Sequence, residues 1–311
     1  MKLTPNRIEE IRDIVSGRVL TNALMSRFTS FRIGGAADLI AEPDNLNELA
    51  SLLRYLSDRA IPRVILGAGT NVVFRDAGFR GVVVRTGSLK AFQVREIGCD
   101  AALVSAAAGL PLQVLVNRVC RLGWTGLEPL WGIPGSCGGA VVANAGAGGV
   151  CVADFLEEVK LVTERGEHVA ASKAELEYGY RFMKLPAGSV VAEATLRLLK
   201  GVPEKIDTEL EKAKTQRRSA QPFDQPSAGC VFKNPSPADP AGAIIDRLGF
   251  KGVAVGKAQV SPVHANFIVN LGGASAAEVL ELIELIRSSV KETEQIDLEL
   301  EIRVIGEMDG P

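Results

Sequence analysis

Apolar side chains recur at Leu46, Leu49, Leu52, Leu53 and Leu56, the spacing of one helix face, and Asn45 with Glu48 supplies a capping pair, so residues 44–59 read as a helix packed on a sheet. The period then shortens. Arg63–Leu66 is a brief β-branched run that stops at Gly67-Ala-Gly-Thr-Asn71. Residues 82–85, Phe92–Ile97 and Ala101–Ala107 continue as strands parted by Gly, Asp or Ser. Beyond a glycine-rich stretch, residues 158–163, 168–171 and 189–198 keep the strand pattern, with Glu164-Arg-Gly-Glu167 as a hairpin turn. Residues 203–218 are dense in charge and read as a solvated helix between two domains, which places a boundary near Gly201. A short helix over 241–248, a strand over 266–270 and a helix over 275–294, opened by Ser275 and Glu278, follow. At the end Leu298, Leu300, Ile302 and Val304 alternate with Glu299, Glu301 and Arg303, predicting a strand with its carboxylates on a solvated face.

The 311 residues suit two domains, and 35 basic against 37 acidic side chains leave a net charge of -2 with no basic tract to hold a nucleic acid. Five cysteines, at 99, 120, 137, 151 and 230, are odd in number and lack CxxC spacing, as expected in a reducing compartment. The charged, amphipathic N-terminus is no secretory signal, and no window of about 20 apolar residues occurs, so a cytoplasmic protein off the membrane is expected. His168 and His264 lie far from each other and from most cysteines, which argues against a metal site.

Glycine is over-represented at 32 residues, and nine of these lie between Gly123 and Gly149. The segment Gly67–Val72 contains GxG after a strand, but it lacks the third glycine and the following helix of a dinucleotide fingerprint. An anion-binding nest of main-chain N–H groups and an ordinary loop both fit it. The segment from Gly132 to Gly146, GIPGSCGGAVVANAG, is nearly bare of bulky polar side chains and lets main chain approach a flat polar ligand, although close strand packing would need the same glycines.

Together with Thr29-Ser-Phe-Arg-Ile-Gly-Gly35 these two segments resemble the flavin-binding domain of the UDP-N-acetylenolpyruvoylglucosamine reductase family. The stretches 227–235, 260–270 and 298–306 resemble its substrate-domain motifs in the same order, so the similarity runs over about residues 20 to 306. The resemblance implies an α+β fold. A two-lobed FAD-binding domain of the vanillyl-alcohol-oxidase (PCMH) type would occupy residues 1–201, with lobes over about 1–80 and 81–201, and a smaller α/β substrate domain residues 202–311. It implies noncovalent FAD held by Arg32, Gly67, Ala68, Gly69, Thr70, Asn71, Ile133, Pro134, Gly135, Ser136, Gly138, Gly139, Asn144, Ala145 and Gly146. It also implies NADPH as reductant and UDP-N-acetylglucosamine enolpyruvate as substrate, reduced to UDP-N-acetylmuramate for peptidoglycan, by a chain whose oligomeric state stays open and is compatible with a monomer. An oxidase of another substrate and a redox-inactive nucleotide-sugar binder are the competing readings.

Three side chains match the family's catalytic positions: Arg181 and Glu301 at the substrate carboxylate, and Cys230 as proton donor where the family commonly carries serine. A thiol, with a reference pKa of about 8.5, is a stronger acid than a serine hydroxyl and can still give up a proton. Without the resemblance Arg181 reads as a surface arginine, Glu301 as a solvated strand position and Cys230 as a small core filler. Tyr180, Arg217, Lys233, Asn234, Gln259 and His264 match substrate contacts, with Arg217 expected at the diphosphate. Trp131 stands where the family usually has a small residue.

Overall fold

The computed structural model describes residues 3–307, which form two compact units. The first holds the chain up to Thr21, Leu39–Ala68 and Gly81–Arg217; the second holds Asn22–Asp38, Gly69–Arg80 and the chain from Arg218 onward. Each unit draws on more than one stretch of the chain. The helix Pro203–Ala220 buries Ile206, which joins the apolar cluster of the first unit together with the half-buried Leu210 and Ala213, and this keeps the chain to Arg217 there.

The main sheet of the first unit is antiparallel, in the order His168–Ser172, Leu156–Val162, Val190–Lys200, Ala101–Ala107, Phe92–Ile97, with Trp124–Thr125 against the far end of Val190–Lys200. Arg63–Leu66 runs parallel to Phe79–Arg85 in a smaller sheet. The helix Leu46–Asp58 sits in the core beside it: Leu49, Leu52, Leu53 and Leu56 are fully buried, each contributing about 2 kcal/mol. Its start is as expected, with Asn45 Oδ1 accepting from the Glu48 N–H at 3.0 Å.

A helix over Leu112–Arg121 was not expected. Its buried Leu112, Leu115, Val116, Val119 and Cys120 follow helical spacing, but three valines in ten residues mask the period with a strand-like composition.

In the second unit Ser227–Cys230, Phe267–Asn270, Ala258–Val260 and Ala254–Val255 form an antiparallel sheet. The helices Ala241–Arg247 and Ala276–Glu294 share its core through Ile244, Ile245, Val279, Ile283 and Ile286. The final strand is shorter than expected. Only Arg303–Ile305 is regular, paired in parallel with Val72–Phe74, because residues 299–301 bond irregularly to the segment after Cys230. The alternation survives in part: Leu298 and Ile302 are buried, and Glu301 is half-buried, not solvated. No helix among the described residues is long and apolar enough to cross a membrane.

Candidate functional site

In the first unit Gly67, at the start of one glycine segment, meets Ser136 of the other. The α-carbon of Gly67 faces the Ser136 hydroxyl so closely that a β-carbon at 67 would overlap it. Ser136 in turn caps a short helix, Cys137–Val142, whose small residues hide it within the glycine run. Its first turn is pinned by bonds from the N–H groups of Cys137 and Gly138 to the carbonyls of Leu110 (2.8 Å) and Ala108 (2.9 Å), and a β-carbon on Gly138 would lie 2.8 Å from that of Ala108. Pro134 and Gly139 are exposed and Ile133 and Gly135 half-buried, so main chain with little side-chain cover faces outward here. Burial pushes the Cys137 thiol up to about 12.

The same segment ends against the hairpin that carries Arg181. Glu177–Gly179 and Phe182–Lys184 pair antiparallel, leaving Tyr180 and Arg181 as a two-residue loop. Arg181 has φ +61, a conformation that costs a non-glycine residue free energy and marks a constrained position. Its guanidinium lies 5.6 Å from the Tyr180 ring, and its Nη1 donates to the Gly146 carbonyl at 3.5 Å. Asn144 and Ala145 are buried. Arg217 donates to the carbonyl of Gly132 at 3.3 Å, at the entrance of the glycine segment, and Lys214 lies 5.8 Å from the Trp131 ring.

In the second unit the main chain of Glu301 is tied to the residue after Cys230: the N–H of Glu301 donates to the carbonyl of Val231 at 2.8 Å. Asn71 joins them, its side chain donating to the Glu301 carbonyl at 3.1 Å. Ser30, which the sequence reading passed over, ties the same corner, its N–H donating to the carbonyl of Gly69 (3.0 Å) and its hydroxyl to that of Ser227 (2.7 Å). The hydroxyl in Thr29-Ser-Phe-Arg32 was the available signal. Arg32, at φ +58, opens onto a cleft of about 380 Å³ lined with Asp224, Pro226, Asn270 and Gly272. Arg181 belongs to the first unit, Cys230 and Glu301 to the second.

The remaining expected contacts divide. Lys233 is exposed enough to meet a ligand and pairs with Glu299 at 3.0 Å. Asn234 accepts from the N–H of Ala241 (3.1 Å), and Gln259 donates to the carbonyl of Gly252 (3.0 Å). Buried Asn266 clamps both main-chain groups of Phe232, at 2.9 and 2.8 Å. His264 accepts at Nδ1 from the N–H of Asn266 (3.2 Å) and packs edge-on to Phe267. Its pKa is held below the ordinary value, first by burial and then by the positive charge of Lys251. No cluster of three or more His, Cys, Asp or Glu able to hold a metal occurs among the described residues.

A family model described as an FAD binding domain matches residues 37–172, and one described as the C-terminal domain of UDP-N-acetylenolpyruvoylglucosamine reductase matches 221–305. Gly67 and Gly138 are needed for close packing on Ser136 and Ala108, and it is the outward-facing main chain of Ile133, Pro134, Gly135 and Gly139 that fits such a cofactor. The chain is 41% identical over 299 residues to UDP-N-acetylenolpyruvoylglucosamine reductase of a Synechococcus species, covering 96% of this chain and 94% of the relative. It is 42% identical over 297 residues to the reductase of Syntrophotalea carbinolica, covering 95% and 97%. The crystal structure of the Thermus caldophilus reductase superposes with a TM-score of 0.80 at 35% identity, covering 92% of this chain and 98% of that one. The α+β fold is thus that of an FAD-binding domain followed by this C-terminal domain, and the chain belongs to the UDP-N-acetylenolpyruvoylglucosamine reductase family.

Proposed function

We propose that the protein reduces the enolpyruvyl double bond of UDP-N-acetylglucosamine enolpyruvate with NADPH, yielding UDP-N-acetylmuramate for peptidoglycan. The observation that carries this reading is identity of about two residues in five with named reductases along nearly the whole chain. FAD, when bound, supplies the two-electron link between nicotinamide and substrate. The protein's own side chains handle charge and proton. Hydride arriving at the methylene carbon leaves negative charge on the carboxylate-bearing fragment, and the permanently charged fork of Arg181 is suited to hold it. Glu301, protonated or bridged by water, joins Arg181 at that carboxylate. Cys230 gives its proton to the adjacent carbon and is reprotonated from water, so one hydride and one proton saturate the bond.

The main-chain bond from Glu301 to Val231, the neighbour of Cys230, supports this division of labour. Lys233 and Asn234 are assigned to the nucleotide-sugar. The Lys233–Glu299 pair is exposed and worth no more than about 1 kcal/mol, so the ammonium is readily handed to a diphosphate. FAD is assigned to the part before Gly201 and substrate to the part after it. A cytoplasmic location agrees with five cysteines of which none is in a disulfide.

The test is substrate-dependent oxidation of NADPH by the FAD-loaded enzyme, with the product weighed by mass spectrometry. A gain of two hydrogens is expected, and in heavy water the hydrogen added to the carboxylate-bearing carbon should be deuterium. NADPH consumption that needs oxygen and ignores the UDP-sugar would replace this reading with that of an oxidase.

A further inference from the structure

Both atoms of the Asn144 side-chain amide hold main-chain partners. Nδ2 donates to the carbonyl of Gly179 at 2.9 Å, and Oδ1 accepts from the N–H of Ala153 at 3.0 Å. The residue is buried and sits at φ +40, a region asparagine tolerates better than most side chains do. Gly179 is the base of the Arg181 loop, since it pairs with Phe182 across Tyr180 and Arg181. Two residues further on, the Gly146 carbonyl receives Arg181 Nη1.

A two-stranded hairpin is marginal by itself in water. Of its six paired residues, only Met183 is buried. Beside the packing of Met183 its aim depends on polar ties, and the bond from Asn144 at 2.9 Å is shorter than that from Arg181 to Gly146 at 3.5 Å. We infer that Asn144 is a positioning residue for Arg181, fixing the hairpin that presents the guanidinium, and that its side chain is not a ligand of FAD. The inference rests on the proposed role of Arg181.

The experiment compares wild type, N144D, R181M and the double variant N144D/R181M. In N144D a carboxylate oxygen replaces the donor and faces the Gly179 carbonyl, so the hairpin loses its tie with almost no change in shape. In the FAD-free protein, deuterium uptake in peptide 177–184 should rise in N144D while the rest of the chain stays protected. FAD affinity, read from flavin fluorescence, and the rate of bleaching by NADPH should hold. Anaerobic reoxidation by the enolpyruvyl sugar should slow about 10- to 100-fold, through the rate and not through KM. The double variant should be no slower than R181M, because the asparagine acts only through the arginine.

A fall in FAD affinity without extra exchange at 177–184, or additive losses in the double variant, would overturn the inference. Should R181M turn over like wild type, the role of Arg181 fails, and the exchange result still reports whether Asn144 holds the hairpin. N144S, which drops the donor without adding charge, serves if N144D does not fold by circular dichroism.

Discussion

The side-chain amide of Asn71 donates to the carbonyl of Glu301 at 3.1 Å, while the N–H of Arg303 donates to the carbonyl of Asn71 at 3.0 Å. With its own N–H on Val231, Glu301 has both main-chain groups held. Replacing Asn71 by Ala removes one partner of a half-buried carbonyl and should cost about 1–3 kcal/mol. The account expects a lower melting temperature together with slower substrate reduction, read by thermal melts and stopped-flow. A variant that melts earlier but reduces substrate at the normal rate would detach Asn71 from the Glu301 position.

Cys230 as proton donor makes a sharper claim. C230A should slow hydride delivery to the substrate by about 10²–10⁴-fold while bleaching by NADPH proceeds as before, and C230S should recover much of the loss. Alkylation should act in the same way as C230A. Burial, with the charges of Glu128 and Asp207, pushes Cys120 up to about 12, and burial does the same to Cys137, so both should escape the reagent while exposed Cys99 reacts. Mass mapping of the labelled thiols checks this, and equal loss of both half-reactions would count against it.

Arg217 distinguishes the turn from the diphosphate. Its guanidinium holds the Gly132 carbonyl at 3.3 Å, and its Cδ occupies the space beside the α-carbon of Gly132. R217M should loosen the entrance of the glycine segment and weaken FAD about tenfold, or about 1.4 kcal/mol, with KM for the UDP-sugar unchanged. A raised KM with intact FAD binding would return Arg217 to the substrate.

His264 gives stability a pH dependence. Its folded pKa lies below the ordinary 6.5, through burial first and Lys251 second, and the bond from Asn266 needs an unprotonated Nδ1. The folded protein therefore takes up the proton less readily than the unfolded chain. The contribution is complete above the unfolded value and is lost as pH falls below it toward the folded pKa. Urea midpoints at about pH 7.5 and about pH 5.5 should differ more in wild type than in H264N; an equal difference would place the dependence elsewhere.

Asp76 caps a helix 200 residues away in sequence. Both its carboxylate oxygens accept, at 2.9 Å, from the N–H groups of Ala276 and Ala277 at the start of Ala276–Glu294. D76A should cost about 1–2 kcal/mol and D76N less, visible in denaturant midpoints, with the chemistry retained.

Much of this was legible because local patterns agree with the fold. The leucines of 46–56 and the caps at Asn45 and Ser275 specify helices that the tertiary structure simply uses. The helix Leu112–Arg121 was hidden because valine lowers its intrinsic signal, and packing against Trp124 and Leu127 decides the outcome. The last strand was over-extended because alternation records which side chains are buried, whereas regular pairing needs a straight partner, and Val231–Lys233 offers an irregular one. At the site the glycine segments stood out by composition. Asn144, Ser30 and Asn71 act through single hydrogen bonds to main chain distant in sequence, and no spacing rule reports those.

The most direct measurement is an anaerobic single turnover: FAD-loaded enzyme is bleached with one equivalent of NADPH, mixed with UDP-N-acetylglucosamine enolpyruvate, and followed by flavin absorbance. The account predicts full return of the flavin band, with one UDP-N-acetylmuramate formed per flavin. A band that stays bleached until oxygen is admitted, with the UDP-sugar unchanged, would contradict it.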